Sequence, residues 1–297
     1  MPHIALVSTA EARATDDDLS PLQAALEKAG ASVTIADWHD MRVKWSGFDL
    51  AVLRSCWDYT EHYVEFLIWA ERVSLQTRLL NPFEVVRWNT DKHYLAELEK
   101  SGIAIVPSAF IEPHADVGAR IGAMLDRHPG CAEFVVKPAI GAGSRDTQRH
   151  ARGHINAMGA HIARLLKAQR SVMLQPYLDR VDEVGETALI HFDGAYSHSI
   201  RKGALLRADE GPTDQLYAPE TIEAREPSAD ERALALRVLA ALPFKSTPAY
   251  ARVDLIRADD GSPVLLELEL AEPSLFFNHC PGSAERFART VLAHCMG

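Results

Sequence analysis

The chain has 297 residues, 47% hydrophobic and 24% charged, with a formal net charge of −10. That length and balance predict a globular enzyme of two or three lobes, and the acidic excess excludes a nucleic-acid backbone as the expected partner. Cys56, Cys131, Cys280 and Cys295 lie far apart with no Cys-x-x-Cys spacing, so neither a structural zinc nor a disulfide framework is expected.

The N-terminal residues carry no signal-peptide pattern, and no apolar run reaches membrane-spanning length. A cytoplasmic protein with no membrane partner is the expectation. Residues 4–7 form a short apolar strand, and Ser20-Pro21 reads as the N-cap and first position of a helix that stops at Gly30. Strands follow over residues 33–36 and 50–53, then a helix over 60–73. This alternation predicts an open parallel sheet within the first ~85 residues. Ligands of such sheets sit past the carboxyl ends of the strands, where this chain carries Ser8-Thr9 and Arg54-Ser55-Cys56-Trp57-Asp58-Tyr59.

Asn89-Thr90-Asp91-Lys92 opens a helix that ends near Gly102. A strand over 103–106, a helix over 117–126, a strand over 133–137, a helix over 155–168 and a strand over 171–178 describe a small α+β lobe. The last third is antiparallel in character. Strands 187–192 and 196–201 flank Asp193-Gly194, and strands 251–257 and 264–270 flank Asp259-Asp260-Gly261, both hairpin patterns. Helices over 229–242 and 283–294 complete the chain. Residues 207–227, rich in Glu, Pro, Asp and Thr, are expected to form a mobile substrate loop. The divisions drawn are 1–104, 105–176 and 177–297.

The acidic hairpin is the sharpest chemical feature. Side chains alternate along a strand, so Glu267 and Glu269 share one face, with Leu266, Leu268 and Leu270 on the other. On the partner strand Arg252 and Asp254 share a face. Three clustered carboxylates need counter-charge, which magnesium supplies through hard oxygen ligands. A solvated face with Arg252 pairing to a carboxylate is the plainer alternative.

Lys137 ends an apolar strand and leads into Ala139-Ile140-Gly141-Ala142-Gly143-Ser144, whose backbone N–H groups suit phosphate oxygens. An ordinary turn would look the same. Gln175-Pro176-Tyr177-Leu178 ends a strand at a proline, leaving backbone groups for an adenine edge. Glu183 or Glu186 could hold ribose hydroxyls, and Arg201-Lys202 could meet a transferred phosphate. Each of these is, alone, also an ordinary strand end.

Taken in order, these segments resemble the ATP-grasp superfamily, and within it the glutathione-synthetase-like branch. The resemblance implies an α/β ATP-grasp fold: an N-terminal open parallel sheet, a small central lobe and a C-terminal antiparallel-sheet lobe. It implies that Lys92 and Lys137 contact ATP phosphates under the Gly141–Ser144 loop, and that Gln175, Tyr177 and Leu178 line the adenine pocket. By the same resemblance Glu186, with Glu183, holds the ribose, Arg201 and Lys202 assist transfer, and Asp254, Glu267 and Glu269 bind two magnesium ions. Relatives carry Asn where this chain has Glu269, and a substrate-binding Arg where it has Thr187-Ala188.

The segments around Trp57 and Glu272-Pro273-Ser274-Leu275-Phe276-Phe277 narrow the resemblance to ligases that close a ring within one small amino acid. The expected reaction activates a carboxylate as an acyl phosphate, and an internal nitrogen then closes an amide ring, with O-ureido-D-serine as substrate. Ser55, Trp57, Asp58 and Ser274 are the expected substrate contacts, Asp58 pairing with the amino group. The competing readings are a ligase joining two molecules, a kinase of the same fold, and a nucleotide-binding protein without turnover. A homodimer is compatible with all of them.

Overall fold

Three sheets carry the chain in this computed structural model, which describes residues 1–206, 211 and 221–296. The first is parallel, in the order β2-β1-β3-β4: β1 (His3–Ser8), β2 (Ser32–Asp37), β3 (Leu50–Ser55) and β4 (Arg78–Leu80). Helices α1 (Leu19–Lys28) and α2 (Tyr63–Ser74) connect these strands. α3 (Phe83–Asn89) and α4 (Tyr94–Lys100) follow.

The second sheet is antiparallel, in the order β5-β8-β6-β7: β5 (Ala109–Ile111), β6 (Glu133–Pro138), β7 (Gln148–Ala151) and β8 (Val172–Pro176). Helices α5 (Val117–Arg127) and α6 (Ile155–Lys167) cover it. Their apolar stripes bury Ile121, Met124, Met158 and Ile162 against Phe134, Val136 and Leu174.

After the short α7 (Arg180–Val184) comes an antiparallel sheet in the order β11-β10-β9-β12-β13. Its strands are β9 (Glu186–Phe192), β10 (Ala195–Lys202), β11 (Ile222–Ala224), β12 (Tyr250–Arg257) and β13 (Pro263–Glu269). The β9–β10 turn places Asp193 at φ 48° and Gly194 at φ 77°, both left-handed, as a two-residue hairpin requires. Helix α8 (Ala229–Ala240) packs Leu234 and Val238 on one face of this sheet.

The last helix, α9 (Ser283–Met296), returns to the beginning of the chain. Its Phe287 and Val291 share a core with Ile4 and Leu6 of β1, Leu22 and Leu26 of α1, and Ile190 and Tyr250 of the third sheet. Asn81 adds a polar clasp, donating to the carbonyls of Tyr250 (2.9 Å) and Leu270 (2.7 Å) and accepting from Ala249 N–H (2.7 Å).

Four sequence expectations need correction. Residues 103–106 do not form a sheet strand; Ile105 makes only an isolated bridge to Leu265, and the strand lies at β5 instead. Helix α1 begins at Leu19, so Ser20 is not its N-cap. The preceding Asp18 accepts from the N–H groups of Leu275 (2.5 Å), Phe276 (3.0 Å) and Phe277 (2.8 Å). A bulge between Asp254 and Leu255 pairs Leu255 with Leu265. Leu266 is thereby turned away from the core of Leu265, Leu268 and Leu270 toward Val106 and Ile256. The expected 207–227 loop falls largely outside the described residues, and its described part includes strand β11.

Candidate active site

The β12–β13 register sets Asp254 directly across from Glu267, and Arg252 across from Glu269. These side chains face a cleft of about 440 Å³ between the sheets, within the usual range for a small-molecule site. β13 is an edge strand, and its outward backbone groups are taken by the α3–α4 region. Asn89 donates to Leu268 O (2.8 Å) and accepts from Leu270 N–H (2.6 Å), while Tyr94 Oη accepts from Leu268 N–H (2.9 Å). That stitching explains why Lys92, between the two helices, stands over Glu267.

Lys92 Nζ lies 2.9 Å from Glu267 Oε1 and donates to Gly141 O at 2.6 Å. Lys137 Nζ, arriving from β6, lies 3.8 Å from Glu267 Oε2. Burial works against both ammonium charges. In Lys92 the Glu267 carboxylate outweighs it and raises the pKa, whereas Lys137, crowded also by Lys92, stays below the ordinary lysine value. Two lysines from different lobes therefore share one carboxylate, an arrangement suited to receiving a further anion.

Lys202 Nζ bridges Glu186 (2.6 Å) and Asp254 (3.1 Å). Arg252 pairs with Asp254 at 2.8 Å and contacts Glu269. Burial pushes the Glu186 carboxyl up to about 7 despite Lys202. Burial also raises Asp254, but Arg252 and Lys202 overcome it and hold that group well below the carboxylate range. Glu269 is raised, by burial and by its acidic neighbours.

Among the described residues no three acidic, His or Cys side chains are drawn together as a ligand set, because cations stand between the carboxylates. In kind the donors fit magnesium: hard oxygens on adjacent strands at the lysine end of the cleft. Binding the ion requires them to exchange their present cation partners for it.

The remaining expected residues divide. Gly141, Ala142, Gly143 and Ser144 line the cleft, as do Gln175, Tyr177, Leu178, Trp57 and Ser274. Arg145, just past the glycine loop, lines the cleft and pairs with Glu61, which borders a second pocket. Gln175 donates to Ser108 Oγ (2.9 Å), and Tyr177 N–H is already committed to Glu133 O (2.9 Å). The far end is apolar, formed by Val106, Leu178, Ile256 and the bulge-turned Leu266.

Four expected residues do not line the cleft. Arg201, one position from Lys202, points to the opposite side of β10, where its Nε and Nη2 donate to Val184 O (2.7 Å) and Glu183 O (3.0 Å). Gly185 makes that approach feasible: at φ +77° a Cβ would sit 2.5 Å from Lys202 O. Glu183 lies exposed on α7. Ser55 is wholly buried, its Oγ 2.6 Å from Ser8 Oγ. Asp58 accepts from Trp38 Nε1 (2.9 Å), lies 2.6 Å from His39 Nε2, and borders a separate, smaller pocket.

The sequence reading missed several cleft residues, notably Thr15 to Asp18, Asn278 and the carboxyl of Glu272. These sit on loops or, for Asn278, in a three-residue 3-10 turn, where no periodicity assigns a direction. Burial, reinforced by Glu269, pushes Glu272 up to about 8.

Similarity to known proteins agrees with this geometry. A crystal structure of a D-alanine–D-alanine ligase from Bacillus anthracis in complex with ATP superposes with a TM-score of 0.67 at 18% identity, covering 100% of this chain and 98% of that one. A structure of the ATP-grasp ligase PsnB with its minimal precursor superposes with a TM-score of 0.63 at 18% identity, covering 98% of both. The fold is that of the ATP-grasp ligases. Residues 4–81 match the family described as the N-terminal domain of D-cycloserine synthetase DcsG. The cycloserine biosynthesis protein DcsG of Streptomyces lavendulae is 41% identical over 292 residues, 97% of each chain. The crystal structure of D-cycloserine synthetase DcsG superposes with a TM-score of 0.93 at 41% identity over 99% of both chains. The chain belongs to this D-cycloserine synthetase family of ATP-dependent carbon–nitrogen ligases. Among the described residues no helix is long and apolar enough to cross a membrane.

Proposed function

We propose that the chain uses ATP to close the ring of D-cycloserine from O-ureido-D-serine. One observation carries the reading: Lys92 and Lys137 converge on Glu267 at one end of a cleft whose other end is apolar. A nucleotide fits that polarity, with its base among Val106, Leu178, Ile256 and Leu266 and its phosphates at the lysines. Glu186 then holds the ribose. Lys202, rather than Arg201, is the strand β10 cation positioned for the transferred phosphate.

Asp254, Glu267 and Glu269 would hold magnesium, two ions in this reading, which supplies charge neutralisation on the phosphates. The lysines orient the terminal phosphate toward the substrate carboxylate and stabilise the charge that spreads over it during transfer. The carboxylate takes that phosphate and ADP leaves. The ureido nitrogen bonded to oxygen attacks the acyl carbon, the C–N bond forms, and phosphate departs with its electron pair and takes up the proton that the nitrogen loses. Water removes the carbamoyl group as carbon dioxide and ammonia. Trp57, buried beside the cleft with Nε1 3.3 Å from Glu272 O, helps to exclude water from the acyl phosphate. Ring closure needs no second substrate, so no further bimolecular entropy cost arises.

The test is ADP release with O-ureido-D-serine and no added amine, with the product identified by mass spectrometry. Stoichiometric D-cycloserine supports the reading. Release that requires an added amine and yields a joined product would replace it with an intermolecular ligase, and phosphorylation of a hydroxyl with a kinase.

A further inference from the structure

Five carboxyl groups face the cleft along β9, β12, β13 and the segment after β13, and four of them have a cation at hand. Glu186 has Lys202, Asp254 has Arg252 and Lys202, Glu267 has Lys92, and Glu269 has Arg252. Glu272 has no ion pair among the described residues; it lies beside buried Tyr59, and Lys92 and Arg252 act on it only from beyond ion-pair distance. The residue is only 7% exposed, and it lines the cleft. Burying a carboxylate without counter-charge is costly, and a ligand that brings a cation removes that cost.

The segment bearing Glu272 is fixed from several directions. Trp57 Nε1 donates to Glu272 O at 3.3 Å, and Arg54 Nη2 donates to Pro273 O at 3.0 Å. Asp18 grips the next turn of chain, at the N–H groups of Leu275 and Phe276. Such a support holds a side chain in one place for recognition. Of the other acidic candidates, Asp17 is exposed to solvent, and the buried ones are already engaged or closed off. Asp58 is held by Trp38 and His39 and borders the other pocket. Asp16 accepts from Asp18 N–H through Oδ1, and its Oδ2 is sealed from solvent.

We propose that Glu272 receives the α-ammonium group of the amino-acid substrate and sets the enzyme's preference for an amino acid over the matching plain carboxylic acid. The proposal rests on the ligase reading above. With the ammonium at Glu272, three residues past Glu269, the substrate carboxylate turns toward the lysine end of the same cleft.

The test compares O-ureido-D-serine with its des-amino analogue, 3-(ureidooxy)propanoic acid, in wild-type enzyme and in Glu272→Gln, by ADP release. Wild type should favour the amino acid by about 10–100-fold in kcat/KM, the range of a charge-assisted hydrogen bond. Glu272→Gln should bring the two compounds within a few-fold of each other, through a raised KM for the amino acid with ATP KM unchanged. Glu272→Asp should retain part of the preference. An equal loss on both compounds would make the role structural and overturn the proposal, as would a preserved preference. Loss of preference in Asp16→Asn but not in Glu272→Gln would overturn it too. If wild type releases ADP with neither compound, the ligase reading itself falls, and the proposal with it; that outcome is read without any variant.

Discussion

The β12–β13 hairpin and the end of β3 both present polar side chains near the same cleft, but they use them differently. On the hairpin each carboxylate meets cations, and two of these, Lys92 and Lys137, come from other lobes. At the end of β3, Ser55 meets Ser8 and Asp58 meets Trp38 and His39, all within the first lobe. Interactions between lobes leave charges poised for a ligand. Interactions within one lobe hold its loops and leave nothing over. At these two places the charge of the partner, a cation on the hairpin and a neutral or hydroxyl group for Ser55, separates the site from the scaffold better than position at a strand end does.

Glu267→Gln should produce the largest effect, because it removes the one group shared by two buried lysines. A fall of about 100–1,000-fold in kcat/KM is expected, with the melting temperature following separately by calorimetry. Near-normal turnover would place the hairpin on a par with the end of β3. Lys137→Ala comes next. It should weaken ATP by about 10–100-fold, the range of a charge-assisted contact, while the thermal melt stays unchanged. Unaltered affinity by titration calorimetry would remove Lys137 from the nucleotide site.

Glu269→Gln should cost less than Glu267→Gln and recover partly at higher magnesium, since Arg252 and Asp254 remain paired beside it. Equal losses from the two variants, insensitive to magnesium, would make the acidic cluster structural. Smallest is Asp58→Asn, which should lower stability by about 1 kcal/mol through its weakened contact with His39 and leave the substrate KM alone. A raised KM with an unchanged melt would mean that the end of β3 also serves the ligand. Trp57→Ala, on the side of that loop which reaches the cleft, should raise the substrate KM and uncouple ATP hydrolysis from product.

The three-sheet fold was legible because its long strands are marked apolar runs and Asp193-Gly194 and Asp259-Asp260-Gly261 mark the hairpins. Strands β4, β5, β7 and β11, of three or four residues each, are too short for any period to register. The Asp254/Leu255 bulge left no trace in the pattern, so Leu266 was assigned to the wrong face. In the site, Lys92, Lys137 and the hairpin acids were readable from local context. Arg201 and Lys202 were read together although alternation along β10 sends them to opposite sides. Glu272 was quoted only within a motif. Its lack of a directly paired cation is a property of the assembled cleft, invisible along one dimension.

The return of α9 to α1 has a consequence for synthesis on the ribosome. The core that holds Ile4, Leu6, Leu22 and Leu26 also needs Phe287 and Val291, residues that emerge long after them. The first sheet and α1 must wait with an uncovered apolar face until α9 has emerged. Holding nascent chains short of α9 should therefore leave residues 4–81 open to protease, and extending them past α9 should close them.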